Sequence, residues 1–185
     1  MYYANIKPRD IANGPGVRVS LFVSGCTRHC KDCFNRETWD FTYGQPFTQE
    51  TVDYILRELS LPFIRGLTVL GGEPFEPQNQ PGVLDLLRQA RQACPDKSIW
   101  VFSGYTLDGH ILAKKLGPWS VTQELLSYVD VLVDGPFIAE EKDLRLRFRG
   151  SRNQRLIDLQ KTLATGEITL WSDEETEQGG ETPCK

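Results

Sequence analysis

Three cysteines, Cys26, Cys30 and Cys33, fall within eight residues in the spacing C-x3-C-x2-C. Thiolates this close together are metal ligands or redox groups. Three from one short loop can wrap one corner of a cubane iron–sulfur cluster and leave its fourth iron without a cysteine. Structural zinc would need four ligands, commonly two C-x2-C knuckles, and the sequence has no second knuckle. His110 could supply a fourth ligand from a distance, whereas His29, adjacent to Cys30, is badly placed to join the same site. Cys30-Lys31-Asp32-Cys33 alone could also act as a redox dithiol. The other cysteines are Cys94, read as packing at a helix end, and Cys184, in an acidic tail. An odd total with three crowded together does not suit a secreted disulfide framework and points to a reducing compartment.

The elements that must position this loop follow from hydrophobic period. Val17 to Val23 alternates and is β-branched, a strand that ends at the cysteine loop. Thr48 caps a helix carrying Val52, Ile55, Leu56 and Leu59, and Leu67 to Leu70 is a second strand. Pro81 opens a helix carrying Val83, Leu84, Leu87, Ala90 and Ala93, which ends before Pro95. Ser98 to Phe102 is a third strand. Leu107 to Leu116 and Thr122 to Tyr128 are expected to be helical, broken by Gly117-Pro118, and Val129 to Val133 is a fourth strand. Strands alternating with helices predict an α/β fold on a parallel sheet, wound open or curled into part of a barrel. A complete eight-fold barrel takes ~250 residues, so an incomplete one is expected. Four unusual loops then emerge on one face: the cysteine loop, Gly71-Gly72-Glu73-Pro74, Ser103-Gly104-Tyr105 and Asp134-Gly135-Pro136-Phe137. Ligands of α/β folds bind on that face.

The whole chain, 185 residues with 39% apolar and 25% charged, fits one globular domain over 1–171 followed by an acidic, disordered tail over 172–185. That tail accounts for the net charge of −4, so the body is formally neutral and nucleic acid is a poor partner. No apolar run approaches a membrane span, and the N-terminus lacks a leader pattern, so no membrane association is expected. Lys142 to Arg155 is locally basic, with six cations against Asp143. Within it Leu144 to Arg149 alternates with period two and is expected to be a solvated edge strand.

The cysteine loop together with Gly71-Gly72-Glu73-Pro74 resembles the radical S-adenosylmethionine (SAM) superfamily. The stretch from Asn13-Gly14-Pro15-Gly16 through Cys26 is similar to the opening of the activating enzymes of glycyl-radical enzymes. Val131 to Phe137, Phe148-Arg149-Gly150-Ser151 and Asn153-Gln154-Arg155 narrow the resemblance to the activating family of anaerobic ribonucleotide reductase, over about residues 5 to 160. It implies an incomplete parallel β/α barrel of the radical SAM type and one 4Fe-4S cluster on Cys26, Cys30 and Cys33. SAM would chelate the open iron beside Gly71, Gly72, Glu73 and Pro74, with its adenine near Asp32, Cys33 and Phe34. Asp32 stands where most of the superfamily has an aromatic residue. The implied partners are the large subunit of the reductase, which receives a glycyl radical, and an electron donor such as a flavodoxin, in the cytoplasm. Arg149 to Arg155 are expected to serve SAM or the partner. The alternatives are an activating enzyme for another glycyl-radical enzyme such as pyruvate formate-lyase, a 7-deazaguanine-type synthase, or a zinc-stabilised binding module.

Overall fold

A computed structural model describes residues 1–172. Seven strands, β1 (Tyr2–Asp10), β2 (Val17–Val23), β3 (Gln45–Pro46), β4 (Ile64–Gly71), β5 (Ser98–Phe102), β6 (Val131–Asp134) and β7 (Arg155–Asp158), form one sheet in the order β3-β1-β2-β4-β5-β6-β7. The middle four, β2, β4, β5 and β6, are parallel, as the alternation predicts. The outer three are antiparallel, so the sheet is mixed rather than parallel throughout. The six residues between β1 and β2 are too few for a helical crossover, and they force a hairpin.

Helices α1 (Gln49–Leu59), α2 (Gln80–Ala93) and α3 (Trp119–Tyr128) cross between the parallel strands, and α4 (Leu159–Thr165) follows β7. At the start of α1, Thr48 and Thr51 form a capping box, and Val52, Ile55 and Leu59 turn inward. Pro81 sits in the first turn of α2, where its missing N–H is not needed. The inward helical residues bury Val19, Leu21, Val23, Leu67, Val69, Ile99, Val101 and Leu132 from one face of the sheet. The other face has a smaller cluster in which Trp100, Val131, Val133 and Leu156 are covered by Phe148 and Trp171. Next to it the Arg18 guanidinium is fully buried and bonds Thr68 Oγ1, Ser98 Oγ and two backbone carbonyls. Among the described residues no helix is long and apolar enough to cross a membrane.

Two expected elements are absent. Leu107 to Leu116 is not a full helix but a single π-turn over Leu107–Ile111, held by Leu107 N donating to buried Asp134 and ended by a left-handed Lys114. Leu144 to Arg149 is not a strand. Asp143 bonds both the backbone and the guanidinium of Arg145 in a tight turn, and Phe148 at φ 58° swings its ring onto Trp100 while Leu144 is 89% exposed. The tail expected over 172–185 lies, from Asp173 onward, outside the described residues.

Candidate iron–sulfur site

The C-terminal ends of β2, β4, β5 and β6 surround one cavity of about 230 Å³, bordered by all three loop cysteines. The loop is held from beneath. Glu76, 5% exposed, accepts at one carboxylate oxygen from Thr27 N at 2.8 Å and Thr27 Oγ1 at 2.6 Å. Asn79 Nδ2 donates to the carbonyls of Ser24 at 3.0 Å and Glu73 at 3.0 Å. Gly25 N and Cys26 N donate to the Thr38 and Trp39 carbonyls at 2.7 and 3.3 Å. His29 and Asp32 both adopt left-handed φ, at 47° and 60°, and Cys33 N closes a turn on the Cys30 carbonyl at 3.2 Å. Positive φ is uncommon outside glycine, so this loop is strained into its shape.

The sulfurs already receive N–H groups. Cys26 accepts from the backbones of Arg28 and His29, and Asn35 N lies 3.4 Å from Cys33 Sγ. Burial, reinforced by Glu73 and Glu76, nevertheless pushes the Cys26 thiol up to about 11, so ionising it requires nearby positive charge of the kind iron supplies. Among the described residues no three His, Cys, Asp or Glu side chains converge tightly enough for a single ion. The thiols are instead spread around a cavity, which suits a cluster of several irons with terminal thiolates on different corners. His110, the distant zinc-ligand candidate, bonds Thr106 Oγ1 at 2.9 Å and packs on Tyr105, away from the cavity lining.

Gly71 and Gly72 dock the end of β4 directly on the cysteine loop. Gly72 N donates to the Val23 carbonyl at 2.7 Å and Glu73 N to the Gly25 carbonyl at 2.9 Å. A Cβ on Gly72 would lie 2.6 Å from the Gly25 oxygen, and Gly71 sits at φ 109°. Both positions therefore require glycine. Glu73 is 1% exposed and accepts from Phe75 N at 2.9 Å, Ser103 Oγ at 3.0 Å and Gly104 N at 2.8 Å. Burial pushes its carboxyl up to about 7 against the pull of those donors.

The remaining sequence candidates divide. Phe34 borders the cavity, 72% exposed, and leans on Phe137 at 5.7 Å. The Asp32 side chain points to Arg36 at 3.7 Å, and Pro74 is buried behind the lining. In the Arg149–Arg155 motif, Gln154 receives Gly150 N at 2.9 Å and donates to the Gly135 carbonyl at 3.1 Å, which puts Gly150 and Gln154 on the cavity edge. Arg155 instead bonds the fully buried Asp134 and the exposed Asp108. Ser103 lies in one of the loops expected to converge here, whereas Glu76, Asn79 and Trp39 were not singled out in the sequence. The signal for Glu76 and Asn79 was a run of polar residues, Glu76 to Gln80, placed directly before an amphipathic helix.

An α/β sheet with a three-cysteine loop at its carboxyl end defines an iron–sulfur protein, and a family model described as a 4Fe-4S single cluster domain matches residues 12–157. Among curated proteins, the anaerobic ribonucleoside-triphosphate reductase-activating protein of Vibrio cholerae is 46% identical over 156 residues, covering 83% of this chain and 96% of its own. The proteins of the same name from Escherichia coli K12 and Enterobacteria phage T4 are each 42% identical, covering 83% and 84% of this chain and 96% and 93% of their own. The chain belongs to the family of anaerobic ribonucleoside-triphosphate reductase-activating proteins.

Proposed function

We propose that Cys26, Cys30 and Cys33 ligate one 4Fe-4S cluster and that SAM binds beside it in the same cavity, so that the chain activates an anaerobic ribonucleotide reductase by placing a glycyl radical on its large subunit. The observation that carries this reading is the convergence of the three cysteines with Gly71, Gly72 and Glu73 around one cavity at the carboxyl ends of the parallel strands. The chemistry supplied by the bound cluster is one-electron reductive cleavage of the SAM sulfonium, giving methionine and a 5'-deoxyadenosyl radical that takes hydrogen from a glycine α-carbon.

The chain's own residues bind, orient and exclude water. Gly71, Gly72 and Glu73 line the cavity, where backbone carbonyls of the two glycines would accept from the methionine ammonium and Glu73 would put a carboxylate beside it. That neighbouring cation favours ionised Glu73, opposing its burial. The backbone around Asp32 and Cys33, with Phe34, takes the adenine end. Phe34 against Phe137, with Lys142 over the Phe34 ring at 5.1 Å, forms a half-open lip through which a glycine-bearing loop of the reductase enters. Four parallel strands with helices on one face and a second apolar cluster on the other support an incomplete β/α barrel as one domain. A flavodoxin-like donor in the cytoplasm supplies the electrons. The relatives' name favours this reductase over another glycyl-radical enzyme.

Anaerobic reconstitution followed by iron and sulfide analysis tests the ligand set. Ala at Cys26, Cys30 or Cys33 is expected to abolish cluster binding, and Cys94→Ala to leave it intact because Cys94 is packed in the core. Unchanged iron in all three loop variants, or firmly bound zinc in a colourless protein, would overturn the reading.

A further inference from the structure

The chain leaves the described residues beside a strongly basic patch. The loop over 142–152 carries Lys142, Arg145, Arg147, Arg149 and Arg152 against Asp143, and all of these cations except Arg149 are well exposed. The acids just before it are Glu140, which pairs with Lys31 at 3.5 Å, and Glu141. Phe148, within the loop, packs on Trp171 with ring centroids 6.2 Å apart, and the Arg147 guanidinium lies 4.9 Å from the Phe148 ring. Trp171 is pinned there by its N, which donates to the Leu156 carbonyl at 2.9 Å. Past Ser172 the sequence runs Asp173, Glu174, Glu175, Glu177 and Glu181, with no cation before Lys185. An extended chain covers at most ~3.6 Å per residue, so the first four of these acids lie within ~22 Å of Trp171, a residue that itself touches the basic loop. The loop also reaches the cavity. Gly150 borders it, Lys142 stands over the Phe34 ring at 5.1 Å, and Phe102 joins the cavity lining to the cluster that Phe148 and Trp171 cover.

We propose that residues 173–181 of this same chain dock on the loop over 142–152 by charge complementarity and screen the cavity mouth from the reductase. The screening rests on the function proposed above, whereas the docking does not. Each exposed ion pair is weak, but the acids are tethered beside their cations, so their effective concentration at the loop is high and several weak pairs act together. The large subunit must displace them to bring its glycine to the cavity. Salt weakens the contact, because exposed charges are screened within ~10 Å at 0.1 M and within ~3 Å at 1 M.

The test uses the full chain, reconstituted anaerobically, in two arms. In the first, a carbodiimide that joins carboxylates to lysine amines in direct contact is applied to wild-type protein at low salt, and the products are mapped by mass spectrometry. The carboxylates of 173–181 are expected to couple to Lys142, and the product should be lost in about 1 M salt. In the second, Asp173→Asn, Glu174→Gln, Glu175→Gln, Glu177→Gln and Glu181→Gln are combined in the full chain and its affinity for the large subunit is measured. Neutralising the acids should tighten binding about fivefold at low salt, and the gain should disappear when Arg145→Gln and Arg152→Gln are also present, which separates docking from a change in net charge. No coupling to Lys142, or coupling spread equally over Lys7, Lys97 and Lys115, would overturn the proposal. So would an unchanged or weakened affinity, or a gain that survives without Arg145 and Arg152. If the wild type bound no large subunit at all, the proposed function would fail instead, and the coupling to Lys142 would still decide the docking.

Discussion

Replacing Glu73 by Gln should reverse its effect on apoprotein stability between acid and mildly alkaline pH. The native carboxyl is held at about 7, against 4.5 for an ordinary glutamate, chiefly by burial. Between those values the native state binds more protons than the unfolded chain. Glu73 therefore contributes no penalty below about pH 4.5, and its ionisation progressively destabilises the fold as pH rises through 7. At about 1.4 kcal/mol per tenfold change in proton affinity, the full cost above pH 7 is about 3 kcal/mol. An uncharged amide in its place removes that cost. The substitution also puts an amide donor where Glu73 Oε2 accepted Gly104 N at 2.8 Å, a loss of about 1–3 kcal/mol that does not depend on pH. Glu73→Gln should thus be less stable than wild type at pH 5, and the difference should move in the variant's favour by about 3 kcal/mol by pH 8. Urea unfolding of the two apoproteins under reducing conditions, at several pH values, measures this difference and cancels the other titrating groups. A difference flat to about 0.5 kcal/mol across that range would refute the reasoning.

Two further perturbations probe how the loop and the cavity edge are held. Gly72→Ala drives a Cβ to 2.6 Å from the Gly25 carbonyl and 3.0 Å from that of Thr38, both backbone atoms that cannot swing away. It should cost about 1–3 kcal/mol in thermal unfolding and lower the iron content on reconstitution. Arg155→Met leaves the fully buried Asp134 carboxylate without its guanidinium partner, which should destabilise the protein by about 3 kcal/mol, with part recovered by adding Asp134→Asn. Urea unfolding of the single and double variants checks the recovery.

The parallel centre of the sheet and the converging loops were legible because β2, β4, β5 and β6 are short apolar runs separated by amphipathic helices, a pattern with one economical solution. The edges were not. β1 contains Lys7, Pro8 and Arg9 and buries only its last residue, Asp10, so its alternation carries little apolar signal. Leu144 to Arg149 carried the opposite error, a period-two pattern whose strand is overridden by the Asp143 turn and the left-handed Phe148. At the site, cysteine spacing and the glycine pair were readable because their chemistry is local. Glu76, Asn79 and Trp39 were not, because the cysteine-loop residues they hold lie from 13 to 55 positions away, and sequence separation hides such contacts.

The central claim concerns where the radical ends up. The reconstituted protein, a reductant, SAM and the large subunit of an anaerobic ribonucleotide reductase should be mixed under strict anaerobiosis and followed by electron paramagnetic resonance. A glycyl doublet should appear on the large subunit with matching consumption of SAM, and should be absent when the Cys30→Ala variant replaces the wild type. SAM cleavage with no radical on that subunit, or an undiminished doublet from Cys30→Ala, would contradict the account.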